Sequence, residues 1–191
     1  MKIAVIGIQG DVMEHIEVLR KTFKKCNIEV EVVWARNKED LEKADGIIIP
    51  GGESTTIGKL MSISGMDKVL INLAKKGIYI LGTCAGAILL EKFGLINIRV
   101  DRNAYGRQKD SFECEISTQL GETRGIFIRA PLIKEVLEGA EIFATYNKEI
   151  VGAKQNNILA LTYHPELSED TKIFEYFIKN IAENKWNGEL T

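Results

Sequence analysis

Short apolar runs alternate with longer amphipathic stretches through the first half of the chain. The runs predict strands, and the stretches, in which apolar residues recur every three or four positions, predict helices. The predicted strands are 2–7, 28–35, 46–49 and 77–82, and the predicted helices are 11–25, 38–44, 55–75 with a break near Ser64-Gly65, and 85–93. Continuous apolar strands between helices indicate a parallel sheet that is covered on both faces.

The second half has a different pattern, in which short strand-like segments are joined by turn-rich connections. The predicted strands are 95–101, 112–117, 124–129, 141–146, 149–154 and 157–163, with a hairpin turn at Asn147-Lys148, and the last predicted helix is 170–184. We therefore predict an α/β fold with three layers. A mostly parallel central sheet carries helices on both faces and an antiparallel β addition, all within a single domain over 1–191.

Composition and charge narrow the class of protein. Hydrophobic residues make up 45% of the 191 residues, as in globular proteins, and a net charge of -2 predicts no surface for nucleic acid or anionic membrane. No apolar stretch reaches the roughly 20 residues that span a bilayer, and residues 1–7 are strand-like rather than a signal peptide. Cys26, Cys84 and Cys114 form neither a disulfide framework nor a metal-ligand cluster, so we expect a cytoplasmic protein in which Cys26 and Cys114 are structural.

One short segment carries the clearest chemical signal. Gly82-Thr83-Cys84-Ala85-Gly86 lies between the apolar run 77–81 and the helical stretch 87–93, which predicts a strand, a tight turn with a thiol at its apex, and a helix. This is the pattern of a nucleophile elbow, where small neighbours relieve the crowding of a strained turn. The positive end of the helix dipole also favours a negatively charged sulfur. The alternative is a small buried cysteine in an ordinary strand-to-helix turn.

A cysteine nucleophile needs a base, and the base needs an orienting group. His164 follows the apolar stretch 157–161, and Pro165 favours an extended backbone at His164. In an extended segment residues two apart share a face, so Glu166 is predicted to accept a hydrogen bond from the His164 ring. The alternative is a surface loop in which both side chains are solvated. Because ligands bind at the carboxyl ends of strands in open α/β sheets, Pro50-Gly51-Gly52, Cys84 and His164 are expected to share one site.

His15 is the second histidine, and its context differs. Val12, Ile16 and Leu19 recur at helical spacing around it, and Asp11 with Glu14 fits a capping box at the start of that helix. We therefore predict a polar residue on the flank of the helix, without a catalytic role.

Several motifs resemble those of a known family. Pro50-Gly51-Gly52-Glu53-Ser54-Thr55, together with the Cys84 turn and His164-Pro165-Glu166, resembles the class I, triad-type glutamine amidotransferases, whose sheet is flavodoxin-like. Further segments narrow the resemblance to the glutaminase subunits of two-component pyridoxal 5′-phosphate synthases: Gly7-Ile8-Gln9-Gly10-Asp11, Asp101-Arg102-Asn103, Gly106-Arg107-Gln108, Ser111-Phe112-Glu113 and Phe127-Ile128-Arg129-Ala130-Pro131. The resemblance runs from the first strand to the last helix.

The resemblance implies a reaction and its residues. Cys84 would attack the side-chain amide of L-glutamine, His164 would transfer the proton, and Glu166 would orient the imidazole. The backbone N–H groups of Gly52 and Ala85 would form the oxyanion hole. Contacts with the substrate are implied for Gly52, Glu53, Ser54, Arg102, Ile128 and Arg129, with neither a metal nor a cofactor.

The residues alone leave simpler interpretations open. Gly51-Gly52 also fits a plain tight turn, Glu53 a first-turn helix acid, and Arg102 and Arg129 exposed strand charges. Arg107 and Glu113 match family motifs and are interpreted as structural or partner-facing.

The resemblance further implies that the ammonia passes to a separate synthase subunit, a (β/α)8 barrel, in a large hetero-oligomeric complex. One departure concerns the stretch before Gly94-Leu95-Ile96-Asn97, which is shorter than in many relatives and puts contacts with that subunit in doubt. The alternatives are an amidotransferase subunit of another pathway, such as imidazole glycerol phosphate synthase, a cysteine hydrolase or peptidase, and a regulatory module with an inactive site.

Overall fold

The computed structural model describes residues 1–102, 104 and 111–188, and the side chains of 184–188 are not described. In this part the strands are β1 (Lys2–Ile6), β2 (Glu31–Ala35), β3 (Gly46–Ile49), β4 (Tyr79–Thr83), β5 (Ile98–Asp101), β6 (Phe112–Thr118), β7 (Gly121–Phe127), β8 (Leu132–Val136), β9 (Glu141–Tyr146), β10 (Glu149–Gln155) and β11 (Ile158–Leu161). The helices are α1 (Val12–Cys26), α2 (Lys38–Glu42), α3 (Ser54–Ser64), α4 (Met66–Lys75), α5 (Ala85–Lys92) and α6 (Lys172–Gly188), and a 3₁₀ turn covers Pro165–Leu167.

One sheet contains all of these strands. Its first part has the order β2-β1-β3-β4-β11, and every neighbouring pair there is parallel. The sheet continues through β10, β9, β6 and β7 in antiparallel pairing, and β8 and β5 extend it from β10 as a side branch. The α/β class with a parallel centre and an antiparallel addition is therefore confirmed.

Alternation along the central strands explains the three layers. In β1, Ile3 and Val5 belong to a buried cluster that includes apolar residues of α1 and α6. Ala4 and Ile6 belong to a second cluster, which includes residues of α3, α4 and α5. Successive side chains of a strand point to opposite faces, so one apolar run supplies two cores.

Two local predictions depend on residues that tolerate a left-handed backbone, and both are confirmed. Gly65, with φ of 73°, separates α3 from α4 at the predicted break. Asn147 and Lys148 have φ of 48° and 70° between β9 and β10, as a two-residue hairpin turn requires.

Other boundaries differ from the predictions. Strand β2 begins at Glu31, three residues later than predicted, and β8 was not predicted. Lys134 and Glu135 interrupt the apolar pattern of β8, which is defined by its pairing with β5 and β10. None of the described helices combines the length and apolar character that crossing a bilayer requires.

Candidate active site

The carboxyl ends of β3, β4 and β11 meet at one edge of the sheet, and the predicted residues follow them. The backbone N–H of Cys84, just after β4, donates to the carbonyl of Leu161 at 2.8 Å. His164, three residues after Leu161, donates its N–H to Ile126 of β7 at 2.8 Å. Parallel pairing with β4 therefore places His164 beside Cys84, and the antiparallel addition holds it there.

Cys84 has the backbone of a nucleophile elbow. Its φ of 48° and ψ of −105° are rare for a residue with a side chain, and it directly precedes α5. A Cβ on Gly86 would lie 2.2 Å from the carbonyl oxygen of Ile49, so α5 approaches β3 only because that residue is glycine. Cys84 is 7% exposed and lines a pocket.

His164 and Glu166 are both buried, and they are bonded to each other. The ring N–H at Nδ1 of His164 donates to Oε1 of Glu166 at 2.7 Å. The extended segment predicted from the sequence is not observed here, because Glu166 lies in the 3₁₀ turn that starts at Pro165. The turn brings the carboxylate to Nδ1, and it leaves Nε2 for the thiol of Cys84.

The electrostatics of this cluster favour charged forms. Burial by itself would lower the pKa of His164, but hydrogen bonds to Cys84 and Glu166 outweigh it and raise that pKa well above its usual range. Burial would raise the pKa of Glu166, yet the nearby His15 and His164 lower it overall. An imidazolium between a carboxylate and a sulfur is therefore the favoured arrangement near neutral pH.

The prediction that His15 is a polar residue on the flank of α1 is wrong. His15 is fully buried, because its face of α1 packs against α6 and the site. The Asp11–Glu14 capping box is also wrong, since the side chain of Asp11 makes no capping hydrogen bond. Its carboxylate lies 3.4 Å from Nδ1 of His164, and burial raises its pKa.

Most of the predicted substrate-binding residues line a single pocket beside Cys84. Its volume is about 310 Å³, and it is lined by Gly52, Glu53, Ser54, Cys84, Ala85, Ile88, Arg102, Arg129 and Pro131. Ile128 is not among these residues. Ile88 and Pro131 line the pocket but were not predicted. The sequence signal for Ile88 is its position one helical turn after Cys84, and the signal for Pro131 is its closeness to Arg129 in the chain. Arg107 lies outside the described residues, and Glu113 pairs with Arg124 at 2.8 Å on the exposed side of the sheet.

Glu53 is occupied by its own helix. It is the N-cap of α3, and its carboxylate accepts hydrogen bonds from the N–H groups of Thr55 and Thr56 at 3.0 and 2.7 Å and from the Thr56 hydroxyl at 2.6 Å. The Thr56 hydroxyl and these two N–H groups lower the pKa of Glu53 to about 2. The side chain of Glu53 therefore acts as an acid at the start of a helix, the simpler of the two interpretations of the sequence, and the residue also lines the pocket.

The glycine loop after β3 packs backbone to backbone against the loop after β1. Gly51 accepts a hydrogen bond from the N–H of Asp11 at 3.3 Å, and a Cβ on Gly10 would lie 1.8 Å from the Gly51 oxygen. Gly52 has φ of 142°, and the N–H of Glu53 donates to Oε1 of Gln9 at 3.2 Å. These contacts set the orientation of the peptide that precedes Gly52.

Asp11, His164 and Glu166 also form a group of nitrogen and oxygen donors, which lie within 4.8 Å of one another. The group has donor atoms of the kind that bind metals, but the Nδ1 atom of His164 is already hydrogen-bonded to Glu166 and is not free to bind a metal.

Comparison with known proteins identifies the family. The family model of the SNO glutamine amidotransferase family matches residues 5–183. The pyridoxal 5′-phosphate synthase subunit PdxT of Archaeoglobus fulgidus is 42% identical over 193 residues, covering 94% of this chain and 98% of that protein. The protein of the same name from Methanothermobacter thermautotrophicus is 45% identical over 189 residues, covering 95% and 97%.

Solved structures agree on the fold. A crystal structure of a glutamine amidotransferase has a TM-score of 0.84 at 38% identity, covering 94% of this chain and 98% of its own. A glutamine amidotransferase from Thermotoga maritima has a TM-score of 0.65 at 16% identity, covering 97% and 85%, and supports the fold alone. The protein therefore belongs to the SNO glutamine amidotransferase family.

Replacing Glu53 with alanine is expected to lower the free energy of unfolding by about 1 kcal/mol at neutral pH, since α3 loses its cap. Glu53→Asp, which retains a capping carboxylate, is the control and should lose less. The pKa of Glu53 is lowered by folding, so its contribution is complete above the ordinary carboxyl pKa of 4.5 and disappears as the pH falls through about 2. Urea unfolding at several pH values measures the difference, and equal stability of wild type and Glu53→Ala at pH 7 would contradict it.

Proposed function

We propose that this chain hydrolyses L-glutamine to L-glutamate and ammonia, as the glutaminase subunit of a pyridoxal 5′-phosphate synthase. The observation that carries the proposal is the buried hydrogen bond between His164 and Glu166, next to the strained elbow at Cys84, which lines the pocket. The names of its relatives supply the pathway.

In the first half of the reaction, the Cys84 sulfur attacks the side-chain amide carbon of glutamine. The amide C–N bond breaks in the resulting tetrahedral intermediate, and His164 gives the leaving nitrogen its proton, which releases ammonia and leaves a thioester. Glu166 holds the imidazole in the tautomer that places Nε2 toward the sulfur, and its charge stabilises the imidazolium.

In the second half, water attacks the thioester carbon while His164 accepts a proton from it. The C–S bond then breaks, which frees glutamate and restores the thiol. Each half passes through an oxyanion, and the N–H groups of Gly52 and Ala85 are proposed as its donors. Removing one such donor in other enzymes costs on the order of 3 kcal/mol.

Two arginines at the pocket match the charge of the substrate. Arg102 and Arg129 are both exposed and line the pocket. The fork of an arginine binds a carboxylate with two parallel hydrogen bonds, so these residues are proposed to hold the α-carboxylate of glutamine. Since the Glu53 carboxylate caps α3, its proposed contribution to binding is through the backbone, together with Gly52 and Ser54. Ile128 is proposed as a neighbour of this end of the substrate.

The acceptor of the ammonia is proposed to be a (β/α)8-barrel synthase subunit in a large complex, with the reaction in the cytoplasm. The names of the relatives, which are subunits of a pyridoxal 5′-phosphate synthase, support this part of the proposal. The single-domain assignment over 1–191 is part of the same proposal.

Cys84→Ala and His164→Asn are each expected to reduce glutamine hydrolysis by about 10⁴-fold or more, because each removes a reacting group. Glu166→Gln should lose less, since Glu166 orients the base. Labelling with 6-diazo-5-oxonorleucine should modify wild type at Cys84 and leave Cys84→Ala unmodified. Substantial turnover by folded Cys84→Ala would exclude the mechanism.

Arg129→Met is expected to raise KM for glutamine about tenfold or more with a smaller change in kcat, because a charged hydrogen bond to the bound substrate is lost. Arg124→Met is the matched control: Arg124 is an exposed arginine of β7, the strand that precedes Arg129, and it pairs with Glu113 and is absent from the pocket lining. Steady-state kinetics compare the two, and equal KM values would remove Arg129 from the binding site.

Hydrolysis by the isolated chain is expected to be slow and to rise about a hundredfold or more when the synthase subunit is added, as ordering of one oxyanion donor allows. Glutamate release with and without the synthase subunit measures this. Equal rates would count against coupling, and the Cys84→Ala variant with the synthase gives the background.

A further inference from the structure

His15 is a buried titratable group that the proposed reaction does not use. It is fully buried on α1, and its ring packs edge-on against Phe174 of α6, with ring centroids 6.1 Å apart at an interplanar angle of 74°. Burying an imidazole is unfavourable unless its nitrogens find partners. If this position only filled space, a hydrophobic residue would do so without the unfavourable free energy of burying a polar ring.

The first nitrogen determines how the ring is turned. Nδ1 of His15 lies 2.7 Å from the carbonyl oxygen of Asp11, one helical turn earlier. A carbonyl can only accept a hydrogen bond, so Nδ1 must carry a hydrogen. This contact fixes the ring and directs Nε2 toward the active site.

The second ring nitrogen, Nε2, lies close to two residues of the proposed catalytic site. Nε2 of His15 lies 3.1 Å from the hydroxyl of Thr83, the residue before the nucleophile, and 3.5 Å from Oε2 of Glu166. Oε2 of Glu166 is buried and makes no hydrogen bond within the described residues, since His164 uses Oε1. The Nε2 atom of His15, at ion-pair distance, therefore lies beside a buried carboxylate oxygen that lacks a hydrogen-bond donor.

We propose that His15 is a positioning residue, whose Nε2 holds the free oxygen of the Glu166 carboxylate while His164 holds the other. The inference rests on the proposed function, in which Glu166 orients His164. The two imidazoles then fix the Glu166 carboxylate from two directions. Thr83, the residue before Cys84, contacts the His15 ring and so connects it to the elbow.

The charges around His15 support this arrangement. The titratable groups that interact with His15 or with Glu166 include Asp11, His164 and Tyr163. Burial raises the pKa of Glu166, but His15 on one side and His164 on the other lower it overall. Removing His15 is therefore expected to raise the pKa of Glu166, and the carboxylate would become protonated at a higher pH.

Three variants separate positioning from space filling. His15→Met keeps volume but has no polar hydrogen, whereas His15→Gln places an amide N–H near the position of Nε2. Thr22→Val is the control, because Thr22 is a buried residue of the same helix whose hydroxyl donates to the carbonyl of Val18 in the turn before it. We expect kcat of His15→Met to fall about tenfold to a hundredfold with little change in KM, His15→Gln to recover most of it, and Thr22→Val to match wild type.

The pH profile gives a readout that packing does not affect. Both His15 variants lack the imidazole that lowers the pKa of Glu166, so the acid limb of kcat/KM should move to higher pH in both, including the more active His15→Gln. Thr22→Val should keep the wild-type limb. The rate at which iodoacetamide alkylates Cys84 should show the same displacement in an assay that needs no turnover. If His15→Met does not fold, the acid limb of His15→Gln decides the question.

A double variant tests the route through Glu166. In a Glu166→Gln background, adding His15→Met should cost almost nothing further, because the group that it positions is already altered. The assays use the chain together with its synthase subunit. Two results with active wild type would overturn the His15 proposal alone: His15→Met matching Thr22→Val in kcat and pH profile, or the activity losses of His15→Met and Glu166→Gln multiplying in the double variant. If wild type hydrolyses no glutamine, the proposed function itself fails.

Discussion

The parallel pairing of β4 with β11 is the interaction on which the site depends. It brings together segments separated by about eighty residues, through a register in which Thr83 faces Leu161 and the N–H of Cys84 bonds to the Leu161 carbonyl. A shift by one residue would turn every side chain of β11 to the opposite face and move the start of the His164 turn. The precise approach of imidazole and sulfur is therefore a property of the sheet, not of the loops alone.

Burial then determines what these side chains do. A solvated histidine beside a glutamate would be an ordinary surface pair, worth little. Here His164, Glu166 and His15 are all buried, so each polar atom needs a partner, and each hydrogen bond affects the charge of the next group. The resulting chain of thiol, imidazole, carboxylate and second imidazole depends on α1 lying directly against the carboxyl ends of the central strands.

The loop after β3 both holds the fold together and lines the pocket. The loop after β3 ends a strand, packs against the loop after β1, and starts α3 through the Glu53 cap. Because the cap uses the carboxylate of Glu53, the side chains proposed to recognise the charge of the substrate are the two arginines that line the pocket, Arg102 and Arg129. A loop built in this way presents backbone groups to the pocket, which suits the role proposed for Gly52.

The sequence by itself determined the layers of the fold, because apolar runs and helical periodicity depend on local order along the chain. It also indicated Cys84, through small residues around a strand-to-helix turn, and His164 with Glu166, through their spacing. Only the tertiary structure decided the burial of His15 and the existence of β8. Both depend on partners remote in sequence: α6 packs against His15 beside Glu166, and strands β5 and β10 complete β8. A pattern along the chain reports which residues lie on one face of an element, but not which element will cover that face.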